Sequence, residues 1–358
     1  MATTGPNAAS LIQGEIDAFV RKSPRPVLHG AVIGDGRRVG FSHGLGDSGM
    51  EPLFEIGSVG KTFTTTLLAI LVREGVVKLE DPVAKFRPQY PFASKVTLRH
   101  LASHTSGLPA NPVGTWTMLT RARAFAESFR PEDLETFLRI QSLRPRRFGK
   151  FNYSNVGMSL LGHILAECLG MGYERAVMER VLIPLGMRET RIDRSVLPTE
   201  RLVDGHDRKG RMLPPFSWRG MEPAGLWRSS VSDMIRFLRA QMGLEDPSWA
   251  SLSRIMVEPC AKVGAGTQVG LGWMLTEFPG LGTVAWHTGG TFGQHSIVGW
   301  TLEDKRAIVI LTNRHPPFWH HLIDSRSLEK LAEKVVALHK QGAAFGNRPA
   351  QISPVSSP

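Results

Sequence analysis

Apolar positions near the start of the chain recur at helical spacing. Leu11, Ile12, Ile16, Phe19 and Val20 share one side of a helix over residues 8–20, with Ser10 as its expected cap. The period then shortens to two. Residues 27–33 and 38–42 read as strands joined through Gly34-Asp35-Gly36, a hairpin turn. Phe54-Glu55-Ile56-Gly57-Ser58 leads into a strong helix over residues 59–74, closed by Gly75. From Leu79 to about Gly264 the pattern is mostly helical, broken by loops rich in Pro and Gly. Residues 134–140, 158–169 and 231–242 give its clearest helices. Past Gly264 the chain turns apolar and β-branched. Residues 283–287, 295–302 and 306–312 read as successive antiparallel strands, the last two joined at Glu303-Asp304-Lys305. An amphipathic helix over 328–338 follows, and residues 341–358, rich in Pro, Ser and Gly, read as a disordered tail.

The order is therefore helix, strands, helical middle, strands, helix. A sheet assembled from both chain ends, with an all-helical lobe inserted between them, explains it. The expected fold class is α+β: an antiparallel sheet flanked by the N- and C-terminal helices. One domain is expected over residues 8–340, with a sheet lobe of about 8–78 and 265–340 and a helical lobe of about 79–264. A length of 358 residues suits one large domain or two closely joined lobes. Two lobes meeting in this way leave a cleft, the usual place for a small-molecule site.

Composition narrows the classes. With 42% hydrophobic and 21% charged residues the chain reads as globular rather than disordered. The net charge of +11 invites an anionic partner. The basic residues are scattered, however, and their densest cluster is Arg144, Arg146, Arg147 and Lys150. No helix-turn-helix, zinc or RNA-recognition pattern accompanies them, so nucleic acid is not an expected partner. No apolar run reaches the ~20 residues of a membrane span, so neither is a membrane. Residues 1–14 carry no basic stretch followed by an apolar core, and the expected location is cytoplasmic. Of the two cysteines, Cys168 lies in an apolar helical run and reads as a small buried hydrophobe; Cys260 is its arithmetical partner for a bridge. His100 and His104, and the group His315, His320 and His321, read as turn and loop residues rather than ligands. No metal and no cofactor are expected.

Three elements carry chemistry. Ser58-Val59-Gly60-Lys61 puts an amine three residues after a hydroxyl, on one face of a helix start, where it can help deprotonate that hydroxyl. The first helical turn also turns Ser58 toward the positive end of the helix dipole. Gly60-Lys61-Thr62 imitates the end of a phosphate-binding loop, but that loop needs Gly where Glu55 stands. A nucleophile elbow would need Gly at Ile56. Tyr153-Ser154-Asn155 sets a phenol in a polar turn just before a helix. Its phenolate could take the Ser58 proton, and Asn155 could donate to a substrate carbonyl while accepting from Lys61. Trp286-His287-Thr288-Gly289-Gly290 follows a strand. Its small residues let a substrate lie against the backbone, and the Gly290 N–H could join that of Ser58 in an oxyanion hole.

Ser-x-x-Lys, Tyr-x-Asn and His-Thr-Gly, in that order, resemble the three signatures of the serine β-lactamase and penicillin-binding-protein family. The likeness is to its class C-like branch, which also contains esterases, D-amino-acid peptidases and transacylases. It extends to Phe54-Glu55-Ile56-Gly57-Ser58, to residues 101–109 (Leu-Ala-Ser-His-Thr-Ser-Gly-Leu-Pro), to Ile183-Pro184-Leu185-Gly186-Met187 and to Pro223-Ala224-Gly225-Leu226. The resemblance covers about residues 12–338. It implies Ser58 as nucleophile, Lys61 as its activator, Tyr153 as general base and leaving-group acid, Asn155 as an orienting amide, and an oxyanion hole at Ser58 and Gly290. Thr288, Gly289, Trp116 and Trp227 would contact substrate, with Met118, Phe125, Phe129 and Trp218 as further cleft candidates. The departure is His287, where a Lys is common in β-lactamases. A mostly neutral His pulls less on a carboxylate, which favours ester hydrolysis or acyl transfer over β-lactam turnover. The expected activity is a serine hydrolase acting on an ester or amide of a small-molecule acyl substrate. The alternatives are a cytoplasmic biosynthetic acyltransferase with the same acyl-enzyme and a catalytically silent binding protein on the same fold.

Overall fold

The two ends of the chain meet in one sheet. A computed structural model of the protein describes residues 7–21, 23, 25–45, 49–143, 146–207, 209–264, 266–313 and 325–346. Its strands are β1 (Leu28–Gly34), β2 (Arg37–His43), β3 (Phe54–Glu55), β4 (Gly205–His206), β5 (Met212–Leu213), β6 (Arg228–Ser229), β7 (Ala261–Gly264), β8 (Thr267–Val269), β9 (Met274–Phe278), β10 (Gly282–Gly290), β11 (His295–Thr301) and β12 (Ala307–Thr312). Its helices are α1 (Ala8–Val20), α2 (Lys61–Arg73), α3 (Leu98–Ala102), α4 (Thr115–Ser128), α5 (Pro131–Arg139), α6 (Asn155–Cys168), α7 (Tyr173–Val177), α8 (Val231–Gln241), α9 (Pro247–Met256) and α10 (Ser325–Gly346).

Eight strands form an antiparallel sheet in the order β2-β1-β12-β11-β10-β9-β8-β7. The seam between the chain ends is β1 against β12, running from Leu28 opposite Thr312 to Ile33 opposite Ala307. The expected α+β architecture is the observed one. Both faces of the sheet are covered, which is why β12 is apolar from Ala307 to Leu311. Ile308 and Ile310 join a core beneath α1 and α10. Ala307, Val309 and Leu311 alternate to the other face and enter the larger core shared with α2, α6 and α8.

α1 packs through Ile12, Ile16 and Val20, one residue per turn. Its cap is Asn7, whose side chain accepts the Ser10 N–H at 2.9 Å, rather than Ser10 itself. The sheet begins at Ala261, four residues before the expected lobe boundary, because the β7–β8 hairpin pairs onto its edge. α10 continues to Gly346, past the expected start of the tail at 341. Gly342 there lies against Ala8, and the first proline after the start of α10 comes only at Pro349 in the sequence. Residues 347–358 lie outside the described residues, as do Arg144 and the His315, His320 and His321 group. Both cysteines are free and half-buried, so Cys168 is less enclosed than its apolar run suggested. Among the described residues no single helix is long and apolar enough to cross a membrane.

Candidate active site

Ser58 stands in a single 3₁₀ turn, Gly57–Gly60, at the mouth of α2. Sequence pattern alone suggested a helix from residue 59. The tighter turn has three residues per revolution, so positions three apart line up directly. Lys61 Nζ accordingly lies 2.8 Å from Ser58 Oγ. Ser58 is half-buried, whereas Lys61 is fully enclosed and also donates to the Ala224 carbonyl. Burial holds the Lys61 amine well below the ordinary lysine value.

The turn is pinned from several sides. Ser296 Oγ donates to the Ile56 carbonyl at 2.8 Å, and Gln294 Oε1 accepts the Glu55 N–H at 2.9 Å. The Ile56 N–H donates to the Trp227 carbonyl at 3.0 Å. Gly57 has φ 50°, and a Cβ there would stand 2.6 Å from the Gly290 nitrogen. The end of β10 therefore meets the nucleophile turn backbone to backbone, which only glycine permits. Gly290 reaches the neighbourhood of Ser58 in this way.

Tyr153 arrives by a different route. Residues 152–155 are laced to the turn after α3. The Asn152 N–H donates to the His104 carbonyl at 2.7 Å, Ser154 N–H to His104 Nδ1 at 3.2 Å, and Asn155 N–H to the Ala110 carbonyl at 2.8 Å. Ser154 then caps α6, its Oγ accepting the Gly157 N–H at 2.9 Å. The lacing and the cap fix the phenol. Its hydroxyl comes close enough to Ser58 to feel that side chain, and Lys61 Nζ lies 5.0 Å from the ring centroid. Burial pushes the phenol above its ordinary value, and the Ser58 side chain acts weakly in the opposite direction. Asn155 is half-buried, with its amide donating to Asn111 Oδ1 at 2.8 Å. The expected contact with Lys61 is replaced by the Ala224 carbonyl.

His287 lies on β10 and is 3% exposed. Its Nδ1 is bonded to the Thr288 carbonyl, and its Nε2 is buried without a partner. Burial, with Lys61 as the second cause, pushes this imidazole down to about 3. Its ring centroid is 6.3 Å from that of Tyr153. Sequence reasoning set His104 aside as a turn residue, yet its ring stacks at 4.5 Å on the other neighbour of this cluster, Tyr153 itself. Burial, then Lys61 and His287, hold His104 well below the usual histidine value. The motif around His104 was the available signal, as Pro223-Ala224-Gly225 was for the Lys61 acceptor.

Several expected contacts fall elsewhere. Trp227 is fully buried behind the nucleophile turn, with its ring edge-on to Phe63 and Tyr173. A Cβ on Gly60 would meet its Cδ1 at 2.5 Å, so Trp227 supports the turn and does not face a substrate. Gly289 is buried too, its free side taken by the Ile56 carbonyl. Thr288 is half-buried between these positions. Trp116 is 77% exposed on α4 and does not join the cluster. Trp218 and Phe129 pack edge-on against each other, Phe125 packs on Phe129, and the Met118 side chain lies outside the described residues. Glu55, the residue that spoils a phosphate loop, is buried against Arg228 and the Phe216 N–H. Among the described residues no group of three or more His, Cys, Asp or Glu could hold a metal ion.

Comparison with known proteins identifies the family and agrees with the fold. The model of the Beta-lactamase family matches residues 12–333. Penicillin-binding protein 4* of Bacillus subtilis (strain 168) is 28% identical over 284 residues, which is 73% of this chain. The match spans only 61% of that relative's length. A β-lactamase of Pseudomonas fluorescens is 26% identical over 285 residues, 75% of each chain. The solved class C β-lactamase from Rhodobacter sphaeroides superposes with a TM-score of 0.75 at 25% identity, over 92% of this chain and 100% of that one. With the family model covering nearly all of the described sheet and helical lobe, the chain belongs to the Beta-lactamase family.

Proposed function

We propose that the chain is a serine hydrolase that opens an uncharged ester, or less readily an amide, through an acyl-enzyme on Ser58. The observation that carries this reading is the convergence on Ser58 of a buried amine, 2.8 Å from its Oγ, and the phenol of Tyr153, whose ring lies 5.0 Å from the same amine. Burial favours the neutral forms of both Lys61 and Tyr153. A neutral amine has a lone pair for the Ser58 proton, so Lys61 is the base of the first step.

Ser58 Oγ attacks the carbonyl carbon and its proton passes to Lys61 Nζ. The N–H groups of Ser58 and Gly290 hold the resulting oxyanion. As the tetrahedral carbon collapses, the leaving oxygen takes the Tyr153 proton, and the Lys61 ammonium beside the ring offsets the phenolate charge. In the second half a water gives its proton to the phenolate and attacks the acyl carbon. Ser58 leaves and recovers its proton from Lys61, which restores the starting state. Asn155 orients the acyl side from the mouth of α6.

His287 supports the choice of a neutral substrate. It is held uncharged, so the position offers no fixed cation for a substrate carboxylate. The test is direct. Ser58→Ala is expected to abolish both covalent labelling by a serine-directed phosphonate and turnover of a p-nitrophenyl ester. Labelling that persists in that variant would move the nucleophile elsewhere.

A further inference from the structure

His104 belongs to none of the three chemical motifs, yet its ring is 1% exposed and lies against Tyr153. Its backbone holds φ 58°, a region that a residue with a side chain occupies only when its surroundings dictate it. Those surroundings are the two bonds that lace residues 152–154 to it. Because Nδ1 accepts the Ser154 N–H, the proton of the neutral ring sits on Nε2. That Nε2 is buried and has no partner. An apolar ring of the same size would fill the space but leave the buried Ser154 N–H without its acceptor, so packing alone does not account for a histidine here.

We propose that His104 is a positioning residue for Tyr153. The Ser154 N–H locks its orientation, and the imidazole face, at 33° to the phenol ring, keeps the Tyr153 hydroxyl on Ser58. The charged or titratable groups that face Tyr153 are Lys61 from α2, His104 from the turn after α3 and His287 from β10. Of these His104 alone is bonded to the chain next to the phenol. The inference rests on the reading of Tyr153 as the acid that protonates the leaving group.

That role gives a readout which a purely structural histidine would not move. A p-nitrophenolate leaves without help, whereas an alkoxide needs the proton. Two variants separate the functions of the ring. His104→Asn tolerates the left-handed backbone and offers an oxygen to Ser154, but has no ring. His104→Phe keeps a ring and loses the acceptor. Each is assayed on a p-nitrophenyl ester and on the ethyl ester of the same acid, alongside thermal unfolding and phosphonate labelling at Ser58. The expected result is intact labelling, a fall in kcat of about tenfold on the activated ester and about a hundredfold on the ethyl ester, and KM within about twofold. Equal losses on the two esters with labelling intact overturn the inference alone. Failure of the unaltered protein to label at Ser58 overturns the nucleophile assignment beneath it.

Discussion

Gly225→Ala tests whether the backbone around Ser58 is set to within an ångström. Gly225 follows the Lys61 acceptor Ala224 and holds φ 131°. A Cβ at this position would stand 2.2 Å from the Gly57 oxygen, 2.5 Å from the Gly57 carbon and 2.8 Å from the Ser58 nitrogen. All three are backbone atoms, so no side chain can rotate away. Ordinary contact for such pairs is roughly 3.5 Å, so the two turns must part by about an ångström. The Ser58 N–H and the Ala224 carbonyl move with them.

A displacement of that size at a reacting centre costs about a hundredfold in rate, or roughly 2.7 kcal/mol of transition-state stabilisation. Backbone strain and overpacking add about 1–3 kcal/mol each to the cost of folding, enough to lower Tm by roughly 5 °C or more. The assay is kcat/KM on a p-nitrophenyl ester with thermal unfolding in parallel. Gly14→Ala is the control, since Gly14 lies within α1 with nothing within 4 Å of an added Cβ. Replacing a helical glycine there is expected to raise stability by about 0.5–1 kcal/mol and leave turnover unchanged. Gly225→Ala with the turnover of the unaltered protein would refute the view that the contact between the two turns sets the site.

Three further outcomes follow from the same geometry. Lys61→Arg puts a fixed cation in place of the neutral amine and cannot give up its proton near neutrality, so turnover is expected to fall by about a thousandfold with Ser58 still present; retained turnover would remove the amine as base. Trp227→Ala empties a fully buried site behind the nucleophile turn and is expected to destabilise by about 3–5 kcal/mol in urea unfolding, whereas a cost under 1 kcal/mol would show the turn to be held by other contacts. His287 stands at about 3 in the folded chain against an ordinary 6.5, so between those values the unfolded chain binds the proton and the folded chain does not. Acidification through that window therefore favours unfolding, and His287→Asn is expected to gain roughly 3 kcal/mol relative to the unaltered protein between pH 7 and pH 4; parallel stability curves would contradict a buried neutral imidazole.

The elements legible in the sequence were those whose burial leaves a period. β1, β11 and β12 are apolar because both faces of the sheet are covered, and α1 shows one buried residue per turn. β7 and β8 left no such mark. They end the sheet, only Val269 of their seven residues is buried, and pairing rather than burial holds them in place. The meeting of Ser58 and Lys61 was legible from their spacing of three on one turn, and that of Tyr153 with them from the family resemblance that the three motifs carry together. Trp227 was not, since an aromatic side chain looks the same in sequence whether it lines a cleft or fills a core. The missing Cβ of Gly60 decides it, and that contact exists only in the folded chain. His104 was hidden for a related reason: its partner Ser154 is fifty residues away, and the bond runs from a ring to a backbone.

The same burial that hides these residues sets the character of the proposed chemistry. Lys61, His104 and His287 are all driven toward their neutral forms by loss of water, and Tyr153 is driven toward its phenol. The titrating groups of the resting site are thus biased toward their uncharged forms. Charge arises only as the reaction proceeds, when an ammonium forms at Lys61 while an oxyanion forms against the N–H groups of Ser58 and Gly290. Attraction that exists only at that stage lowers the barrier without tightening the ground state. A substrate bringing its own carboxylate would meet four neutral groups and lose its hydration without return. A neutral ester loses little on entry and gains the full interaction as its carbonyl oxygen becomes negative, so the proposed preference for an uncharged substrate follows from the same enclosure that biases these groups toward neutrality.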